Sequence, residues 1–315
     1  MMDGLILVNK PQNLTSHDIV ARIRKLLRVR KAGHFGTLDP LATGLMMVAL
    51  GKATRLFPFF SKADKSYRGI MRLGFATETY DSAGKSTSTE KKDLPPEKSV
   101  RRAMKKFEGQ IEQLPPPFSA KKYKGKPLYS LAREKKEFEL RPTRIFVHFL
   151  HLKKYNPPFL EFEARCSSGT YIRSLAHDLG QSLGCGAHLS QLTRTRVGNF
   201  HLKDCFDLEE IKRLAEADES EKFLIPLESL LPEFPKVILD ERGSILARNG
   251  NLIFPENVLK IIPASPPLSP APSEPEIIFR IFSQGGKYLA LAKKMPEKNC
   301  FHPFLVIDPK INRTS

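Results

Sequence analysis

The chain has 315 residues, enough to bury a full core in one large or two unequal domains. Its 51 Lys and Arg against 34 Asp and Glu leave a net charge of +17, which points to a polyanionic partner; nucleic acid comes first, because each cation laid on a phosphate also releases counterions. No apolar run approaches the roughly 18–20 residues of a membrane-spanning helix, and the motifs of zinc proteases, P-loop enzymes and dinucleotide-binding enzymes do not occur.

The N-terminus "MMDGLILVNKPQ" has no basic stretch ahead of its apolar one, so "GLILVNK" reads as a buried strand rather than a leader. Serine 16 then stands where an N-cap would, before a helix whose apolar positions Ile19, Val20, Ile23, Leu26 and Leu27 recur at helical spacing. The other face and the exit carry Arg22, Arg24, Lys25, Arg28, Arg30 and Lys31: either a solvated face or a phosphate-contacting one.

The next stretch, "KAGHFGTLDPLATGLMMVALG", sets a single carboxylate, Asp39, among small and apolar residues. Asp followed by Pro reads as a helix start. Against that, "GLMMVALG" is short, apolar and bounded by Gly44 and Gly51, which favours a strand directly after it. "ATRLFPFFS" follows as a helix cut by Pro58, then "KSYRGIMRLG" as a strand and "ATETYDSAGKSTSTEKKDLPPEK" as a loop.

"SVRRAMKKFEG" is a basic amphipathic helix. After it, "LPPPFSAKKYKGKPLYSLAREKKE" interleaves cations with Phe118, Tyr123 and Tyr129. That mixture suits RNA, cations tracking the backbone and rings stacking on bases, and equally suits an ordinary basic surface with its aromatics turned inward. Two strands, "RIFVHFLHLKKY" and "FLEFEARCS", lead to "SGTYIRSLAHDLGQSLGCG", where Ser168 or Thr170 can start a helix with Ile172, Leu175, Leu179 and Leu183 inward and Gly184 as its end. A strand, "AHLSQLTRTRVGNF", and a capped "DLEEIKRLAE" helix close this part near residue 230.

From about Val237 the texture changes to short strands, "KVILD", "EIIFRIF", "GKYLALAKK" and "PFLVID", interrupted by the Pro/Ser run "PASPPLSPAPSEP". The elements therefore predict an α+β fold with domains at 1–232 and 233–315, the second small and β-rich, with a Pro-rich insertion at 263–275. The four cysteines, Cys166, Cys185, Cys205 and Cys300, form no C-x-x-C pair, which predicts neither disulfides nor a thiolate zinc site and fits a reducing, cytoplasmic setting.

Four stretches, "GHFGTLDPLATG" with Asp39, "KSYRG" with Tyr67, "SSGTYIRSLAHDLG" with Tyr171 and Arg173, and "CGAHLSQLTRTRVG" with Leu192, resemble in order and approximate spacing the TruB family of tRNA pseudouridine synthases. The resemblance spans about residues 3–230 and implies the pseudouridine-synthase fold: a central mixed, mainly antiparallel sheet flanked by helices and loops, followed by a small PUA-like domain. It implies an isomerase that detaches uracil from C1′ of its ribose, turns it, and rejoins it through carbon, with no cofactor and no metal. The implied substrate is the T-loop uridine, position 55 of tRNA, taken from the T-arm stem-loop by base flipping.

By this resemblance Asp39 is the required aspartate, near the sugar as in glycoside-cleaving sites. Arg173 is its ion-pair partner, since an adjacent guanidinium favours the charged carboxylate. Tyr67 stacks on the target base, Tyr171 lines the pocket and Leu192 forms an apolar wall, although either Tyr67 or Leu192 would also serve as plain core. His34 has the chemistry of an acid or base, yet the family implies that it fills the gap left by the flipped nucleotide. Arg55 is implied as a phosphate contact.

A thumb-like insertion at about 110–142 would grip the T-loop without a guide RNA, and neither a membrane nor an obligate protein partner is expected; the chain should act as a monomer. Two rivals remain at this stage: a non-catalytic RNA-folding protein on the same scaffold, whose signature would be loss of Asp39, and a nucleoside-cleaving hydrolase, which would release free uracil.

Overall fold

Long apolar runs become strands buried on both faces, and these set the centre of the molecule. The structure is a computed structural model that describes residues 2–119, 122–123, 126–127, 140–264 and 277–309. The chain runs β1 (Gly4–Lys10), α1 (Ser16–Leu26), β2 (Ala32–His34), β3 (Thr43–Leu50), α2 (Phe57–Ser61), β4 (Lys65–Leu73), α3 (Glu97–Lys105) and β5 (Gly109–Gln113). A short pair follows, β6 (Lys122–Tyr123) and β7 (Lys126–Pro127), then β8 (Thr143–Asn156), β9 (Phe159–Cys166), α4 (Ile172–Ser182), β10 (Ala187–Val197), β11 (Phe200–His201), α5 (Leu208–Glu216) and β12 (Leu224–Pro226).

The main sheet has the order β12-β1-β3-β10-β4-β9-β8-β5, with β2 added to β3 and β11 to β10. Every pairing in it is antiparallel except β3 with β10. The sheet is thus mixed and mainly antiparallel, as the resemblance implies. Residues alternate across it: Met46, Val48 and Leu50 of β3 join a core with Ile19 and Ile23 of α1, Met104 of α3, Leu175 and Leu179 of α4 and Ile211 of α5. Leu45, Met47 and Ala49 face the other way, onto Phe35, Leu56 and Phe60.

That second layer also takes in Phe282, Tyr288, Leu291 and Ile307 of the C-terminal part. There β13 (Lys236–Leu239), α6 (Glu241–Arg248), β14 (Val258–Ile262), β15 (Ile278–Ser283), β16 (Tyr288–Met295) and β17 (Cys300–Val306) build a five-stranded sheet in the order β14-β13-β15-β16-β17. Residues 265–276, which hold most of the Pro-rich run, and most of 120–139, in the expected thumb, lie outside the described residues. Among the described residues no helix is long and apolar enough to cross a membrane.

Four helix starts differ from the sequence reading. Helix α1 is capped by Thr15 in a capping box with Asp18, and Ser16 is its first helical residue. Helix α4 begins after Tyr171, with neither Ser168 nor Thr170 at its cap. Asp207 stands at the N-cap of α5 but accepts from Asn9 Nδ2 at 2.9 Å instead of capping. Asp39-Pro40 starts no helix: the Asp39 carbonyl closes a turn by accepting from Ala42 N at 3.0 Å, and β3 follows.

Candidate active site

The parallel contact between β3 and β10 is short, matching Thr193 with Thr43 and Arg194 with Gly44. Gly44 has φ +99°, and a Cβ there would lie 2.4 Å from the Arg194 carbonyl oxygen, so only glycine lets the two strands meet. Above this junction the segment from Phe35 to Ala42 leaves the sheet, carrying Asp39.

Several side chains hold that segment from behind. Arg194, 1% exposed, donates Nε to Leu45 O at 2.8 Å, Nη2 to Gly36 O at 3.1 Å and Nη1 to Thr37 O at 3.3 Å. Ser16 Oγ accepts from Leu38 N at 2.8 Å and donates to Leu38 O at 3.0 Å. Lys10 Nζ donates to Leu14 O at 2.7 Å, to Pro11 O at 2.9 Å and to Pro40 O at 3.4 Å. Burial pushes the Lys10 ammonium down to about 8, with the Asp39 charge working against that fall.

Arg173 comes from the first turn of α4, where the helix dipole disfavours a cation, so its carboxylate partners must offset that cost. Its Nε lies 2.8 Å from Asp39 Oδ2 and its Nη2 3.2 Å from Asp39 Oδ1. On the other side Nη1 lies 3.5 Å from Asp81 Oδ2 and donates to Thr79 O at 3.0 Å, while Nη2 also donates to Phe118 O at 3.0 Å. The start of α4 is fixed by Gln113 of β5, which accepts from Tyr171 N at 2.8 Å and donates to Tyr171 O at 3.0 Å.

Asp39, Tyr67, Tyr171, Arg173 and Leu192 come together around one cavity of about 450 Å³, with Lys65 and Arg194 also in its wall. That size is typical of a site for a small ligand. Tyr67 of β4 stands directly opposite Arg194 of β10. Burial pushes the Tyr67 phenol up to about 12, and a hydrogen bond with Arg194 works against the rise, so Tyr67 holds its proton near neutral pH. Burial also raises the Tyr171 phenol, with the neighbouring Ser119 and then the Arg173 charge working against the rise. Lys65, pushed down to about 8 by burial and by Arg194, donates to Ala63 O at 2.7 Å and Ser61 O at 3.1 Å.

Asp39 is the acidic residue in this wall, and its side chain is 39% exposed against 6% for Arg173. The arrangement presents one accessible carboxylate, oriented by a buried guanidinium, beside a protonated phenol and an apolar wall. Two sequence-predicted residues lie elsewhere. His34 sits half-buried in β2 outside the cavity, its imidazole held below the usual range by burial and then by Arg194. Arg55 bonds the Val306 carbonyl of β17 through Nη1.

Sequence reasoning missed Arg194, Asp81, Gln113 and Lys10, and it cast Ser16 as a cap. Arg194 sits inside the quoted "QLTRTRVG", but nothing about an arginine in a strand marks it as fully buried.

The sequence profile of the TruB family pseudouridylate synthase N-terminal domain matches residues 24–172, and that of the tRNA pseudouridylate synthase B C-terminal domain matches 173–232. The chain is 42% identical over 264 residues to a tRNA pseudouridine synthase B of Solibacter usitatus, covering 84% of this chain and 90% of that one. It is 38% identical over 296 residues to the protein of the same name from Clostridium tetani, covering 94% and 97%. A solved structure described as an H/ACA RNP bound to a substrate RNA containing 2'-deoxyuridine superposes with a TM-score of 0.71 at 26% identity, over 98% of this chain and 86% of that one. With family matches running from residue 24 to 232 and relatives alike over nearly their whole length, the chain belongs to the TruB family of pseudouridylate synthases, a family of isomerases.

Proposed function

We propose that this isomerase converts the T-loop uridine of tRNA, position 55, to pseudouridine, and that it does so without a guide RNA, as a cytoplasmic monomer. The tRNA assignment draws on the names of its relatives at 38% and 42% identity. The observation that carries the chemistry is the two-nitrogen approach of buried Arg173 to Asp39 at the wall of a nucleoside-sized cavity.

In this reading the uridine is flipped out of the T-loop into the cavity, at a cost of a few kcal/mol that protein contacts offset. The N1–C1′ bond breaks, the base turns, and a C5–C1′ bond forms; the proton on C5 leaves and N1 gains one, so neither redox change nor net hydrolysis occurs. Asp39 supplies the carboxylate that meets the sugar–base bond as charge develops there. Arg173 pairs with Asp39 and aims it, Tyr67 lies along the base, and Tyr171 and Leu192 close the remaining walls. His34, on the strand leading into the Asp39 segment, fills the space the nucleotide leaves. Arg55 already has the Val306 carbonyl as a partner, so its role as a phosphate contact is secondary.

The RNA backbone runs over the basic surface. Arg22, Arg24, Lys25, Arg28, Arg30 and Lys31 are all exposed at and after α1. Residues 1–232 act as the catalytic unit, with the 110–142 insertion gripping the T-arm, and 233–315 as a PUA-like accessory.

The test is to incubate the protein alone with a T-arm transcript and map pseudouridine by carbodiimide-dependent arrest of reverse transcription. The reading predicts one arrest, at the T-loop uridine, and none when that base is cytidine. Tight binding with no arrest would favour the non-catalytic RNA-folding reading, and free uracil would favour the hydrolase.

A further inference from the structure

We propose that Ser16 is a positioning residue for the reaction: its buried hydroxyl clamps both peptide groups of Leu38 and thereby fixes where Asp39 presents its carboxylate. This rests on the reading of Asp39 as the catalytic carboxylate.

Ser16 is 3% exposed, and Leu38 is 4% exposed. The hydroxyl accepts from Leu38 N at 2.8 Å and donates to Leu38 O at 3.0 Å, across 22 residues of sequence. A serine hydroxyl has one proton to give and lone pairs to receive with, so both of its capacities go to one residue. The carbonyl it holds belongs to the peptide whose nitrogen is that of Asp39. Fixing both peptide planes around Leu38 leaves the Asp39 Cα little freedom, and Pro40 on the far side is held in turn by Asn13 N and Lys10 Nζ on its carbonyl at 2.8 and 3.4 Å.

The neighbouring residue separates this role from an ordinary structural one. Thr15 is the N-cap of α1, and its bonds with Asp18 are at the surface. Helix stability is therefore assigned to Thr15 and loop geometry to Ser16. Displacing a reacting group by about 1 Å costs on the order of a hundredfold in rate.

The experiment compares Thr15→Ala, Ser16→Ala, Ser16→Thr and Asp39→Asn in single-turnover pseudouridine formation on a T-arm transcript, with RNA affinity and melting temperature measured for each. Ser16→Ala should lose about ten- to a hundredfold in rate with RNA affinity within about twofold of wild type. Ser16→Thr, which keeps the hydroxyl, should recover most of that rate, and Thr15→Ala should lower the melting temperature while leaving the rate within about twofold. If Ser16→Ala lowers only the melting temperature, or if Ser16→Thr is as slow as Ser16→Ala while folded, the inference is overturned. Full activity of Asp39→Asn would instead overturn the reading beneath it, and an inactive Asp39→Asn beside a fully active Ser16→Ala would sink the positioning role alone.

Discussion

Arg173 meets Asp39 with two guanidinium nitrogens, at 2.8 and 3.2 Å, across 134 residues of chain, and turns a third toward Asp81 at 3.5 Å. A planar fork can serve two carboxylates and two carbonyls at once; an ammonium cannot. Arg173→Lys should therefore keep the fold but lose about a hundredfold or more in single-turnover rate, comparable to removing one preorganised donor from an active site. Circular dichroism and the rate, measured on one preparation, check it. A rate within tenfold of wild type would mean that charge alone suffices.

Gln113 bonds both the N–H and the C=O of Tyr171, two residues before Arg173. Gln113→Ala leaves the Tyr171 N–H without a partner, at about 1–3 kcal/mol, while the Tyr171 carbonyl keeps Leu175 N at 3.2 Å. A fall of that order in urea-unfolding stability is expected, together with a slower reaction. Gln113→Glu keeps an acceptor for Tyr171 N and loses the donor to Tyr171 O, so it should fall between.

Gly44 combines φ +99° with a Cβ position 2.4 Å from one backbone atom of Arg194 and 2.9 Å from another. Backbone on both sides cannot yield, so Gly44→Ala should separate β3 from β10 and cost several kcal/mol, on the order of the largest single-substitution effects. Soluble yield and melting temperature measure it; a variant as stable as wild type would contradict the strand junction described.

Burial pushes Lys10 and Lys65 down to about 8 from an ordinary 10.5. Between those pH values the unfolded chain keeps both protons and the folded chain releases them, so these two groups make stability rise with pH across that window and leave it flat below pH 8. Cys166 and Cys205, raised by burial to about 11 and about 12 from 9.0, act in the opposite sense above pH 9. The effect is therefore read as a difference: wild type should gain stability relative to Lys65→Met as pH rises from 8 to 10. Parallel unfolding midpoints for the two proteins across that range would show that Lys65 does not titrate there.

The strands were legible because their signals are local. "GLILVNK" and "GLMMVALG" are apolar on both faces, and the structure buries them between helices on one side and Phe35, Phe60 and the C-terminal sheet on the other. Asp39 was legible through the four ordered stretches, and its immediate neighbourhood alone pointed to a helix start that does not form. Ser16 was misread because it stands beside a true cap, and a serine at a helix start says nothing about a partner at Leu38. Arg194 and Gln113 escaped for the same reason: their partners lie 157 and 58 residues away, a distance that no periodicity encodes.

In the proposed reaction Asp39, held by Arg173, does the chemistry on a uridine. The most direct test is release of tritium from a T-arm transcript labelled at uracil C5, by wild type and by Asp39→Asn, with RNA binding and RNA mass followed in parallel. Wild type alone should release tritium, both proteins should bind equally, and the RNA should keep its mass apart from the lost label. Release by Asp39→Asn at the wild-type rate, or binding without release by either protein, would contradict that role of Asp39.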